Sequence, residues 1–208
     1  MMKLYYAPGA CSVGIHVVLE EIGKPYELLP VALKDGAQHK PDYMAINPKS
    51  KVPALARDDG SLLTEFPVIA MWLAKANPEA KLAPTDLDGE TRCAEMLDYV
   101  CGTIHPQGFT RQFRASNFSP TEADLPKVVE QGKALAAKYF SMLDANWKGG
   151  TWALASGSSV ADAALFFVEY WATRRSGMTL PPRLQTHLDA MLARPAVRRT
   201  LEQEGLTA

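Results

Sequence analysis

The 208 residues are 47% hydrophobic and 22% charged, an ordinary globular composition that excludes a disordered, collagen-like or disulfide-stapled chain. Twenty-two basic against 23 acidic residues give a formal net charge of −1, which argues against a nucleic-acid binder working by phosphate neutralisation. No run reaches the roughly 18 apolar residues of a membrane span, and the opening MMKLYYAPGACSV lacks the apolar core of a signal peptide, so a soluble, cytoplasmic protein with no membrane partner is expected.

Lys3 to Ala7 is a short aromatic run stopped by Pro8-Gly9, and Cys11, Ile15, Val18, Leu19 and Ile22 then recur at helical spacing until Gly23 and Pro25. Tyr26 to Leu33 reads as a second strand, completing a right-handed βαβ unit with parallel strands. Irregular or short helical structure follows around Asp42 to Asn47. Val52–Ala56 and Ser61–Thr64 flank the turn signal Asp58-Asp59-Gly60, which predicts a hairpin, and a helix runs from Pro67 to the stop at Asn77-Pro78.

From about Pro84 the pattern is helical only. Apolar stripes run through Cys93 to Ile104, Val128 to Trp147, Val160 to Trp171 and Leu184 to Leu192. The expected organisation is residues 1–80 as one α/β domain, 81–88 as linker and 89–208 as an all-helical domain. Both parts are close to neutral, so periodicity alone draws this boundary.

Several residues can carry chemistry. Cys11 stands between the first strand and the first helix, where unpaired backbone N–H groups and the helix dipole favour a thiolate; a small apolar filler is the competing reading. Gly14 rather than a second cysteine lies three residues on, which disfavours a dithiol oxidoreductase. Val52-Pro53 opens the third strand as an ordinary trans proline at a loop end, or as a cis bond that turns the valine backbone outward to pair with an extended peptide. Glu65 before the next helix either caps it or binds a ligand ammonium beside a helix N-terminus that takes the ligand carboxylate.

Cys101 and His105 share a helix spacing, but two ligands without further clustering make no zinc site, and no metal is expected. His16, His39 and His187 have no sequence partners and read as structural or surface residues, and Cys93 and Cys101 as core filler. Ser159-Val160-Ala161-Asp162 matches a capping box.

Lys3-Leu4-Tyr5-Tyr6-Ala7-Pro8-Gly9-Ala10-Cys11-Ser12, Ile46-Asn47-Pro48-Lys49 leading to Val52-Pro53-Ala54-Leu55, Leu63-Thr64-Glu65, His105 and the capping box occur in this order along the whole chain. Together they resemble the cytosolic glutathione transferase family, specifically its bacterial, beta-like cysteine class. The resemblance implies a thioredoxin-like N-terminal domain, an all-helical C-terminal domain and a homodimer that uses glutathione as co-substrate, without metal, to detoxify small hydrophobic electrophiles.

It also implies that Cys11 faces the glutathione sulfur, that Val52 before a cis Pro53 pairs with the cysteinyl backbone, and that Glu65 with residue 66 holds the γ-glutamyl end. Lys34 would contact the glycyl end, His105 would lie at the cleft, and Asp98 stands where the class often has an asparagine reaching glutathione. Two departures stand out: Phe66 replaces a small or polar residue, often serine, and His105-Pro106-Gln107-Gly108 lacks a basic residue soon after the histidine. Losing the hydroxyl removes a hydrogen bond of about 0.5–1.5 kcal/mol, up to roughly tenfold in affinity. The expected function is therefore transfer of the glutathione thiolate to electrophiles, with thiol–disulfide exchange through Cys11 as a second activity. The alternative is a non-catalytic ligand-binding or scaffold protein that keeps the fold.

Overall fold

Strand β1 (Met2–Tyr6) alternates faces, so Leu4 and Tyr6 are buried while Lys3 is exposed. It pairs in parallel with β2 (Tyr26–Pro30) and antiparallel with β3 (Ala54–Ala56), which pairs antiparallel with β4 (Leu62–Thr64), giving the order β2-β1-β3-β4. This is the thioredoxin-like arrangement expected from the sequence. The computed structural model describes residues 1–207, and they cluster into two compact units: residues 1–83 with the chain from Leu192 onward, and residues 84–191.

The first unit carries α1 (Ser12–Ile22), α2 (Pro41–Ile46) and α3 (Phe66–Ala76). Strand β2 ends earlier than the predicted Leu33. Val31 N–H still donates to the Tyr6 carbonyl at 2.7 Å, but Pro30 offers no donor, and two short 3-10 turns follow, Leu33–Asp35 and Ala37–His39.

The second unit contains α4 (Leu87–Asp98), a π-helical stretch Tyr99–Thr110, the single turn α5 (Arg111–Phe113), α6 (Leu125–Ala145), α7 (Val160–Arg174) and α8 (Pro182–Ala193). The stripe from Cys93 to Ile104 predicts an ordinary helix with His105 just after it; instead the coil continues past His105 in wider turns that contain Pro106. Proline has no N–H and crowds the carbonyl four residues back, and the wider turn moves that carbonyl away. Helix α6 packs closely on this stretch: a Cβ at Gly132 would come within 2.6 Å of the Gly108 carbonyl oxygen. Helix α7 is buried on every face from Val160 to Ala172 and packs against α4 and the π-helical stretch. The capping box at its start is present, with Ser159 and Asp162 bonding reciprocally.

Asp162 does more than cap. His187 on α8 is fully buried between two carboxylates, with Nδ1 2.7 Å from Glu169 Oε2 and Nε2 3.0 Å from Asp162 Oδ1. Burial alone would discharge His187, yet the attraction of Glu169 and the hydrogen bonds of both carboxylates outweigh it and push the imidazole up to about 10. Burial also pushes Glu169 up to about 7, against the pull of His187. The structural reading of His187 therefore holds, with its partners 18 and 25 residues away in the chain.

Helix α9 (Pro195–Gln203) has no counterpart among the predicted stripes, and the chain from Leu192 clusters with the first unit rather than with the helices that precede it. The reason is a set of polar anchors onto α1 and the loop before it. Arg194 Nε donates to Glu21 and Arg199 Nε to Glu20, at 2.5 and 2.6 Å. Glu204 then reaches further in.

Candidate active site around Cys11

The loop Ala7-Pro8-Gly9-Ala10 delivers Cys11 to the start of α1. Gly9 adopts φ +66°, a left-handed conformation suited to glycine, and donates its N–H to Glu204 Oε2 at 2.8 Å. The same carboxylate, through Oε1, lies 2.9 Å from Nδ1 of the buried His16, whose Nε2 meets Gln203 Oε1 at 2.8 Å. Ser12, fully buried, donates its hydroxyl to the Ala7 carbonyl and accepts from the Ala7 N–H at 3.3 and 3.2 Å. Its hydroxyl is thus committed to the loop backbone. His16, Glu204 and Ser12 together hold this loop in shape.

Opposite stands the segment leading into β3. Buried Asn47 donates from Nδ2 to the Lys51 carbonyl at 2.8 Å, and Tyr43 Oη donates to the same carbonyl at 2.7 Å. Both fix the residue just before Val52. The Val52–Pro53 peptide bond is cis, and the Cys11 thiol donates to the Val52 carbonyl at 3.5 Å. The structure therefore brings Cys11 and Val52 together, and the cis form of the Val52–Pro53 bond is the one the resemblance implies.

The expected lowering of the Cys11 thiol is reversed. Cys11 is only partly buried by exposure, but the dense surroundings of its sulfur desolvate the thiol and push it up to about 12, outweighing the hydrogen bonds of the backbone at Ser12 and Cys11 and the charge of Lys51, which all pull it down. The helix N-terminus is weaker here than its position suggests. Cys11 is itself helical (φ −56°, ψ −24°), and the N–H groups of Val13 and Gly14 are spent on the carbonyls of Ala10 and Cys11 at 3.0 and 3.1 Å. Cys93, fully buried, is pushed up to about 11 by the same cause, so charge state gives Cys11 no advantage over it.

Glu65 occupies the cap position of α3 with φ +69°, an uncommon conformation for a residue with a side chain. Its carboxylate caps nothing, so the simple capping reading fails. Instead Oε1 accepts from Lys49 Nζ at 2.7 Å, and the same ammonium donates to Thr64 Oγ1 at 2.9 Å. Phe66 is buried and forms part of the core, which is the reason for an aromatic residue at this position. Lys34 is exposed on the 33–35 turn.

Two of the predicted site residues belong to the second unit. His105 packs edge-on against Trp171 and Phe167, with ring centroids 5.0 and 5.6 Å away. Asp98 is exposed at the last position of α4. Sequence reasoning assigned no role to Asn47, Lys49, Lys51 and Glu204, although Asn47 and Lys49 stand in a motif that carries the resemblance. Pairing across a turn or across the length of the chain leaves no periodic trace, and only Asn47-Pro48, a turn signal, hints at the first three. Among the described residues no group of three His, Cys, Asp or Glu is arranged to hold a metal, and no helix is long and apolar enough to cross a membrane.

Comparison with known proteins places this geometry. A family model for the glutathione S-transferase N-terminal domain matches residues 9–76. The chain is 36% identical over 208 residues to glutathione S-transferase GstA of Escherichia coli O157:H7, an alignment that covers 99% of this chain and 100% of the relative. A glutathione transferase homologue from Sulfitobacter, solved with bound glutathione, superposes with a TM-score of 0.90 at 29% identity, over 100% of this chain and 99% of that one. The bacterial beta class glutathione S-transferase of Sphingomonas chungbukensis does so with a TM-score of 0.85 at 30% identity, over 99% and 100% of the two chains.

Proposed function

This chain belongs to the glutathione S-transferase family, and from that premise we propose how its own residues carry the reaction. The protein is a glutathione transferase that takes glutathione as co-substrate and directs its sulfur at a small hydrophobic electrophile. In our reading the glutathione-binding part, expected at residues 1–80, also takes in the chain from Leu192, 81–88 link, and the remaining helical residues receive the electrophile, with the beta-like cysteine class as the nearest type.

The observation that carries this assignment is the meeting of the Cys11 thiol with the Val52 backbone, 3.5 Å apart at the start of α1. An extended ligand backbone pairing with Val52 as an added strand brings its own cysteinyl sulfur beside Cys11. Glu65 takes the ligand's γ-glutamyl ammonium, the Phe66 backbone and the α3 N-terminus take the adjacent carboxylate, and Lys34 takes the glycyl carboxylate. Asp98 and His105, both in the helical unit, are the further residues we assign to the reaction, His105 resting against the buried rings of Phe167 and Trp171.

The chemistry asked of the protein is modest. Lowering a thiol from about 8.5 by one to two pH units needs roughly 1.4–2.7 kcal/mol of preferential thiolate stabilisation. Because burial keeps Cys11 protonated at neutral pH, its S–H is a donor that turns from the Val52 carbonyl to the glutathione sulfur, while the Lys51 charge helps from nearby. The glutathione thiol gives its proton to solvent water, and the thiolate then forms the carbon–sulfur bond as the carbon–leaving-group bond breaks and the leaving group departs into solvent, with no covalent bond to Cys11. Thiol–disulfide exchange through Cys11 is a second activity in this reading, limited by the small thiolate fraction.

The scaffold alternative loses its main support, since Phe66 answers to core packing. We also propose a cytoplasmic homodimer acting in detoxification, for which the family resemblance is the support. Isothermal titration with glutathione, combined with ultraviolet titration of the bound thiolate, tests the assignment. Binding at or below millimolar glutathione with a thiol pKa below that in free solution is the expected result; no binding, or an unshifted pKa, overturns it.

A further inference from the structure

We propose that Lys49 is a built-in competitor for the ligand ammonium at Glu65, and so sets how strongly the protein distinguishes glutathione from thiols that lack the γ-glutamyl amino group. The inference deepens the reading above and rests on Glu65 being the ammonium site. Lys49 is delivered there by its backbone. Its N–H donates to Asn47 Oδ1 at 3.1 Å, inside a turn closed by the Ser50 N–H on the Asn47 carbonyl at 2.9 Å, and Asn47 is itself buried and tied to Lys51. From this fixed root the ammonium reaches Glu65 Oε1 at 2.7 Å and Thr64 Oγ1 at 2.9 Å.

The geometry sets the two cations against each other. Glu65 is held at φ +69° ahead of α3, its carboxylate makes no cap, and Lys49 already sits on Oε1. A ligand ammonium on either carboxylate oxygen shares that single negative charge with the lysine and meets its like charge at close range. The opposition is modest because both side chains are more than half exposed, 54% for Lys49 and 55% for Glu65, where ion pairs are weak and screened. A ligand without the amino group leaves the Lys49–Glu65 pair intact and loses nothing. Lys49 therefore lowers the affinity gained from the ammonium without touching the reacting sulfur, and acts as a specificity-determining residue.

The test compares glutathione with its deaminated analogue, glutaryl-cysteinylglycine, by titration calorimetry on wild type, Lys49→Met, Lys49→Arg and Glu65→Gln, with circular dichroism to check folding. Lys49→Met should bind glutathione about two- to fivefold more tightly, the range expected for an exposed ion pair, and leave the analogue unchanged. Lys49→Arg should restore the wild-type ratio, and Glu65→Gln should weaken glutathione but not the analogue. If Glu65→Gln weakens glutathione while Lys49→Met does not tighten it, the competitor role is overturned and the Glu65 assignment stands. If Lys49→Met weakens both ligands, the lysine is a direct ligand contact and the inference fails. If Glu65→Gln changes neither, both fall together.

Discussion

Alkylation of Cys11 as a function of pH tests the site most directly, because the fold reverses what the position in sequence suggests. A thiol held at about 12 is roughly one part in 10⁵ thiolate at pH 7. Free cysteine, at about 8.5, is a few per cent thiolate there. The thiolate deficit is thus about three to four orders of magnitude, of which the greater basicity of the Cys11 thiolate recovers a little under half, for a Brønsted coefficient of about 0.4–0.5. Iodoacetamide should therefore modify Cys11 at pH 7 about a hundredfold more slowly than free cysteine. The rate should rise about tenfold per pH unit from pH 7 to 10 without a plateau. Peptide-resolved mass spectrometry on a Cys93→Ser, Cys101→Ser background gives the rate at Cys11 alone. Mixed-disulfide formation with oxidised glutathione should show the same steep dependence. A plateau below about pH 8.5, or labelling at pH 7 as fast as free cysteine, would refute the idea that burial outweighs the helix N-terminus.

Cys11→Ala should keep substantial conjugation activity with halonitroarenes while losing enzyme-mediated disulfide exchange, and conjugation at background would show that Cys11 is the nucleophile. His105→Ala should be a partial loss in both assays, since that ring packs against the buried rings of Phe167 and Trp171 and serves packing rather than proton removal. Stability should fall with rising pH. His187 and Glu169 both have native pKa values raised above their unfolded ones, so their protons are bound more tightly in the folded state. The His187 contribution is complete below its unfolded value of about 6.5 and is lost toward about 10, at up to roughly 1.4 kcal/mol per pH unit. Urea midpoints from pH 6 to 10 should show this decline in wild type and a flatter profile in His187→Gln; equal slopes would contradict it. Phe66→Ser should cost about 3–5 kcal/mol of stability through the cavity it leaves, with glutathione affinity changed less than threefold, and an unchanged urea midpoint with much tighter binding would show that residue 66 lines the site instead.

The βαβ and ββα order, the hairpin at Asp58–Gly60, the helical second half and the capping box of α7 are legible in the residues, because each is specified by contacts within a few residues that leave a period or a turn signature. Of the stretches that the motifs marked, the structure brings Cys11 and Val52 within 3.5 Å of each other. Their chemistry was another matter. The state of the Cys11 thiol follows from desolvation and from donors already consumed by Ala10 and Cys11 carbonyls, both products of how the loop is folded. That loop is held by Glu204, which meets His16 across 188 residues, and the helix that carries Glu204 inward had only a short amphipathic pattern to announce it. The π-helical path through His105 depends on Pro106 and on the close approach of Gly132, and the Lys49–Glu65 pair depends on the turn fixed by Asn47. Electrostatic energies vary with the distance and burial of groups far apart in the chain, so only the tertiary structure decides them, whereas hydrophobic periodicity is local and can be read from the residues alone.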